Sequence, residues 1–148
     1  MKASVEETQL PNQPPLIHVV DDDPSVVLAL KRLLRSWGMQ VRTFASGAEF
    51  LSAARDSPGA DCLVIDVQMP GMTGLEVQVR MNQAGLCMPI IFITGHELEG
   101  AEERALKAGA VGFLRKPFRD EALVGLIRRG MQRRLKSSPE DGECGGRR

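Results

Sequence analysis

Residues 16–25 read LIHVVDDDPS, and this stretch sets the fold. Leu16–Val20 is a short apolar run rich in Val and Ile, as expected of a strand buried on both faces. Asp21, Asp22 and Asp23 end the run abruptly. Asp23 and Pro24 then offer a helix N-cap and a first-turn proline. Val26, Val27, Leu30, Leu33, Leu34 and Trp37 follow at helical spacing, with Lys31, Arg32 and Arg35 opposite. Gly38 caps this predicted helix, Ser25–Trp37.

The same strand–turn–helix unit recurs along the chain. Further apolar runs lie at Cys62–Ile65 and Pro89–Ile93, with weaker ones at Val41–Phe44 and Val111–Leu114. Helical patterns cover Ala48–Arg55, Leu75–Ala84, Leu98–Ala108 (closed by Gly109) and Arg119–Leu135. Five strands, each followed by a helix, imply a parallel sheet covered on both faces. Right-handed crossovers then favour an α/β, doubly wound, five-stranded parallel sheet in the flavodoxin-like order 2-1-3-4-5. A closed barrel needs about eight such units and is excluded by length.

The chain has 148 residues, 43% of them hydrophobic, which suits one domain with its own core. Residues 1–15, with Pro11, Pro14 and Pro15, read as a flexible leader, and 136–148 as a flexible tail or linker. The folded unit is expected over 16–135. No apolar stretch approaches the roughly 18 residues of a membrane span, and the first residues lack the apolar region of a signal peptide. Cys62, Cys87 and Cys144 form no CxxC pair, a sparse set that suits a reducing compartment. Cytoplasmic location is expected, with no membrane partner and with Cys62 inert inside its apolar run.

Formal net charge is zero, from 19 basic and 19 acidic side chains, but the charge is segregated. Residues 1–114 carry 9 basic and 14 acidic groups, a net of −5, whereas 115–136 carry 8 and 2, a net of +6. The remaining tail contributes −1. Overall neutrality alone would argue against a dedicated nucleic-acid binder.

In open α/β sheets, ligands bind at the carboxyl ends of strands beside the topological switch point. Strand 1 ends in Asp21, Asp22 and Asp23, strand 3 in Asp66, strand 4 in Thr94 and Gly95; strand 5 is followed by Lys116 and Pro117. Taken singly, Asp23 is a helix cap, Asp66 a loop hydrogen-bonder and Lys116 a solvated side chain. Taken together, carboxylates packed at one edge would cost several kcal/mol without a cation. Mg²⁺ suits such a set, being a hard cation held by carboxylates, water and phosphate oxygens. A carboxylate beside Mg²⁺ and an ammonium can act as a nucleophile toward phosphorus.

Four segments carry a family resemblance: VVDDDPSV (19–26), LVIDVQMPGMTGL (63–75), IIFITGH (90–96) and GAVGFLRKPF (109–118). Together they resemble the receiver domain of two-component response regulators, with wording similar to FixJ-like transcriptional regulators. The resemblance implies that Asp66 is the phosphoacceptor, with Lys116 and Thr94 contacting the transferred phosphoryl group. It implies an Mg²⁺ site of Asp22, Asp66, the Gln68 backbone carbonyl and Asp21, the last mainly through a metal-bound water. It also implies a switch pair of Thr94 and Phe113, a cis Lys116–Pro117 peptide, and a glycine at 95 that leaves room for the phosphoryl group. Gly71 and Gly74 would shape the loop after Asp66, and Gln68 and His96 would flank the pocket. Phe113 stands where many relatives have Tyr, so it lacks a hydroxyl to latch; it can also be read as an ordinary core strand residue. His18, inside strand 1, reads as structural.

The implied partner is a sensor histidine kinase, and the implied output face comprises the fourth helix, fifth strand and fifth helix. Glu97, Glu99, Glu102 and Glu103 are concentrated on the expected fourth helix, and Arg115, Arg119, Arg128 and Arg129 on or near the last strand and helix. These are either ordinary solvated faces or a surface for a phosphorylation-dependent homodimer. DNA would be reached only through an output domain that this chain does not contain. A stand-alone receiver acting on a protein partner is the alternative. An aspartyl-nucleophile phosphatase is a third reading, weakened by Gln68 where such enzymes carry a second acid. A flavodoxin-like cofactor binder is disfavoured because Asp21–Asp23 would repel a phosphate.

Overall fold

Short runs of β-branched and aliphatic residues favour a pleated, buried backbone, and all five become strands: β1 (Leu16–Val20), β2 (Gln40–Phe44), β3 (Cys62–Asp66), β4 (Ile90–Thr94) and β5 (Gly112–Arg115). They alternate with helices α1 (Pro24–Ser36), α2 (Gly47–Asp56), α3 (Gly74–Ala84), α4 (Ala101–Lys107) and α5 (Asp120–Lys136). The computed structural model describes residues 13–56, 59–96 and 98–136, with side chains to residue 133. Glu97, most of the expected leader (1–12) and the tail beyond 136 lie outside the described residues.

The strands form one parallel sheet in the order β2-β1-β3-β4-β5. Every residue of β3 and β4 is buried, whereas β2 and β5 are partly exposed. The two weaker apolar runs are thus the sheet edges. Alternate side chains divide between two cores. Val20, Leu63, Ile65, Ile90 and Phe92 meet Phe50, Val77, Met81 and Ala105 of α2, α3 and α4. Ile17, Val19, Val64, Ile91 and Ile93 meet Leu30, Leu34, Leu123 and Ile127 of α1 and α5. Burial of each such aliphatic side chain contributes about 1.5–3 kcal/mol, which holds the strand ends in fixed register.

Three boundaries matter for the chemistry. Asp66 and Thr94 are the last residues of their strands rather than loop residues, so both are anchored by the sheet ladder. Helix α1 ends at Ser36, where Met39 N–H donates to Leu34 O (3.1 Å) and Gly38 N–H to Arg35 O (2.9 Å). This paired closure uses Gly38 at φ 86° and leaves Trp37 exposed beside Arg128, whose guanidinium lies 5.6 Å from the indole, rather than in the apolar stripe. Helix α4 begins at Ala101, not Leu98, because Gly100 adopts φ 78° and no side chain caps the helix. Glu99 therefore precedes α4, and of the four acidic residues assigned there only Glu102 and Glu103 lie on it. Among the described residues, no helix is long and apolar enough to cross a membrane.

His18 is 1% exposed and packs edge-on against Phe44 and Phe50, with ring centroids 5.2 and 5.8 Å away. Its Nδ1 has no hydrogen-bond partner, which fits a structural role. Burial, reinforced by Arg42, lowers its pKa. The folded chain therefore resists protonating His18, whereas the unfolded chain takes the proton near pH 6.5. Stability from this group is full above that pH and falls as pH drops below it. In urea denaturation from pH 7 to 5, His18→Leu is expected to lose less stability than the wild type; parallel curves would show that His18 carries no such linkage.

Candidate functional site

The β1–β3 register pairs Val20 with Ile65, so the next residues, Asp21 and Asp66, emerge side by side at the carboxyl edge. One carboxylate oxygen from each of Asp21, Asp22 and Asp66 lies within 4.8 Å of the others. The three consecutive aspartates have separate duties. Asp21 is 1% exposed, and its Oδ1 accepts a hydrogen bond from Asp23 N–H (2.9 Å). Asp22 is exposed at the rim. Asp23 caps α1, its Oδ1 accepting from Ser25 N–H (2.9 Å) and Ser25 Oγ (2.8 Å). The Ser25 bonds hold the Asp23 carboxyl below its ordinary pKa.

Asp66 is 8% exposed, and its Oδ1 accepts from Gln68 N–H at 3.3 Å. The loop behind it folds tightly: Gly74 N–H donates to Val67 O (2.8 Å), and Thr73 and Glu76 form a reciprocal cap on α3. Gly71 is needed for its φ of 81°. Gly74 is needed for a different reason, since a Cβ there would overlap the Asp66 carbonyl oxygen. At Gly95 a Cβ would meet only Lys116 Cδ, at 3.9 Å.

Lys116 extends from the end of β5, and its Nζ lies 3.7 Å from Asp21 Oδ2. Its peptide bond to Pro117 is cis. Its backbone N–H donates to Thr94 O (2.8 Å), tying the two strand ends together. Burial raises the pKa of Asp21 against the opposing pull of Asp23 N–H and Lys116. Asp66 is likewise raised, first by burial and then by the Asp21 charge. Asp21 Oδ2 is buried without a hydrogen-bond partner. An orphaned anionic oxygen facing two further carboxylates fits a hard divalent cation, and the all-oxygen donor set suits Mg²⁺.

Thr94 and Phe113 stand beside this cluster rather than in it. Thr94 Oγ1 donates to His96 O and accepts from His96 N–H, both at 3.1 Å. Phe113 is half-buried, 6.2 Å from the Phe92 ring. Arg115 lies over Phe113 with its guanidinium carbon 5.9 Å from the ring centroid, and contacts Glu102 on α4 at 3.6 Å. The sequence reading missed this stack, although residues 113 and 115 share one face of a strand by the period of two. A groove of about 270 Å³ adjoins the carboxylates, lined by Val27, Leu28, Phe44 and Ala45.

Residues 17–128 match the family model described as the response regulator receiver domain. The chain is 42% identical over 132 residues to the response regulator protein TmoT of Ectopseudomonas mendocina, covering 89% of this chain and 58% of that protein. It is 38% identical over 125 residues to the transcriptional regulatory protein FixJ of Azorhizobium caulinodans, covering 84% and 59% respectively. The chain thus spans less than three-fifths of either relative. The crystal structure of FixJ-N superposes with a TM-score of 0.75 at 35% identity, covering 81% of this chain and 95% of that one.

The raised carboxyl groups fix the sign of a stability test. A carboxyl whose folded pKa exceeds its unfolded value favours the fold at acid pH, and that contribution is lost as pH rises through the folded pKa. At neutral pH, Asp21→Asn is therefore expected to raise the metal-free melting temperature. Mg²⁺ at a hundred times its Kd should stabilise the wild type by about 2.7 kcal/mol, and at the same concentration Asp21→Asn should gain less. Calorimetry with and without EDTA reads both effects. A less stable metal-free variant would contradict the assigned repulsion.

Proposed function

The chain belongs to the response regulator receiver domain family, in a FixJ-like branch, and we propose that Asp66 accepts a phosphoryl group from the phosphohistidine of a sensor kinase. The observation that carries this reading is the joint placement of Asp66, two further carboxylates and the Lys116 ammonium at one edge of the sheet. Asp66 is assigned as the nucleophile from its place in the receiver-like 63–75 segment, and its carboxyl is 8% accessible with Oδ1 held by Gln68 N–H. One Asp66 oxygen bonds to phosphorus as the donor's N–P bond breaks. The electron pair returns to the imidazole nitrogen, and the product is an aspartyl phosphate.

Asp21, Asp22, Asp66 and the Gln68 carbonyl would hold Mg²⁺, which supplies charge neutralisation for phosphate oxygens when bound. Lys116 offers a second positive charge from the other side. The neighbouring apolar groove gives a donor protein a surface to rest on. After transfer, the new charge of roughly −1.5 to −2 draws the Thr94 hydroxyl away from His96 O and toward a phosphoryl oxygen. Phe113 then follows the vacated space, altering the face of α4, β5 and α5. That change would serve a phosphorylation-dependent homodimer in the cytoplasm.

The receiver unit spans 16–135 in this reading, with 1–15 and 136–148 as flanks. Control of transcription is the output we assign, supported by the likeness to a transcriptional regulatory protein. Intact-mass analysis after incubation with Mg²⁺ and acetyl phosphate tests the chemistry. The wild type should gain one phosphoryl group, and Asp66→Asn or EDTA should abolish the gain. An unmodified wild type, or an equal gain on Asp66→Asn, would sink the assignment.

A further inference from the structure

Helix α4 is fastened very differently at its two ends. Its last turn is bolted to α3 by neutral, inward-facing amides. Gln78, 2% exposed, donates from Nε2 to Ala105 O at 3.0 Å, and Asn82 donates from Nδ2 to Ala108 O at 3.3 Å. Ala105 O also accepts from Ala110 N–H at 3.0 Å, so this carbonyl joins α3, α4 and the approach to β5. These bonds satisfy carbonyls that a helix end leaves without intrahelical partners; the Gln78 bond is buried and the Asn82 bond part-buried.

Among the described residues, the first turn shows no such amide-to-carbonyl bond and is held by packing, with Ala101 3% exposed in the core and Leu98 against the same cluster. Gly100 provides no side-chain cap. Glu102 on this turn pairs with Arg115 of β5 at 3.6 Å, between side chains about half exposed. Such exposed pairs are weak and are screened by salt. The Thr94 hydroxyl is bonded to the backbone of His96, which precedes this end in the chain.

We propose that Gln78 and Asn82 are positioning residues that pin the carboxyl end of α4, so that movement at Thr94 swings the helix about that end instead of shifting it whole. The inference rests on Asp66 being phosphorylated and adds the pivot through which that event is converted into a directed change of surface. Buried amide-to-carbonyl bonds have a narrow geometric range and cost more to leave unmade than an exposed ion pair. A force applied through the 95–100 connection is therefore absorbed at the Glu102 end first.

Backbone amide NMR of the full chain, with and without acetyl phosphate and Mg²⁺, tests the pivot. In the wild type, phosphorylation should move the resonances of Gly95, Gly100 and Ala101 several-fold more than those of Leu106, Gly109 and Ala110. In Gln78→Met the displacement should spread to Leu106–Ala110, and the milder Asn82→Ala should show the same spread to a smaller degree. A merely structural role would lower the melting temperature while leaving the ratio between the two ends unchanged. Even displacement along α4 in phosphorylated wild type, or a wild-type ratio in folded variants, would overturn the pivot. If Gln78→Met does not fold, the wild-type ratio and Asn82→Ala decide. Absence of any phosphoryl mass gain in the same sample would instead defeat the Asp66 reading, and the pivot with it.

Discussion

Mutual repulsion among Asp21, Asp22 and Asp66 is the constraint around which the carboxyl edge of the sheet is organised. Their oxygens approach within 4.8 Å, and two of the three groups are buried enough for charge to be costly. Nothing local would hold such a set together. The β1–β3 ladder does so from below, because moving Asp21 away from Asp66 by one residue would turn Ile17 and Val19 out of one core and His18 and Val20 out of the other. Apolar burial thus offsets an electrostatic cost, and the pocket is left ready for positive charge. Lys116 meets part of that need, at 3.7 Å from Asp21 Oδ2, but it makes no hydrogen bond there.

The same logic explains why the surrounding loops are built from backbone-determined positions. Gly74 lets α3 begin almost in contact with the Asp66 carbonyl. Lys116 N–H bonds to Thr94 O, so the ammonium and the hydroxyl belong to one hydrogen-bonded unit. Among the described residues, the hydrogen bonds of Thr94 Oγ1 are to the backbone of His96, so this hydroxyl can exchange partners without breaking a side-chain pair. A new acceptor bearing negative charge competes directly with a neutral carbonyl, and hydrogen bonds to charged groups are roughly twice as strong. In the proposed mechanism, charge in the pocket would thereby be coupled to the Thr94–His96 bonds without any large rearrangement of the sheet.

Much of this was legible in the sequence, for identifiable reasons. Continuous runs such as Cys62–Ile65 and Pro89–Ile93 marked the central strands, and the weaker runs at Val41 and Val111 marked the edges. Strand order then brought Asp21 and Asp66 together. Side-chain detail was less accessible. Leu98–Ala108 has a helical pattern, yet Gly100 at φ 78° delays α4 to Ala101; local backbone choice overrode periodicity. Trp37 fits the apolar stripe of α1, but the helix closes one residue earlier and turns it onto Arg128. Nothing in the sequence singles out Gln78 and Asn82, because their value depends on how two helices lie across the sheet. That arrangement is set by packing and has no signature in either segment alone.

In the switch we propose, Phe113 is held by weak contacts. A phenyl ring makes no hydrogen bond, so its position is set by contact with Phe92 and by Arg115 over its face. An aromatic pair contributes about 0.5–1.5 kcal/mol beyond area burial, and an exposed cation–π contact about 0.5–1 kcal/mol. A redistribution of 1.4 kcal/mol already changes a two-state population about tenfold. Arg115 also contacts Glu102, so any movement of α4 at that end alters the charge environment of the ring. Ring, guanidinium and carboxylate thus form a chain of weak contacts from sheet to helix, which the charge added by the proposed phosphorylation of Asp66 would be able to bias. Stronger links there would make the face more rigid and less responsive.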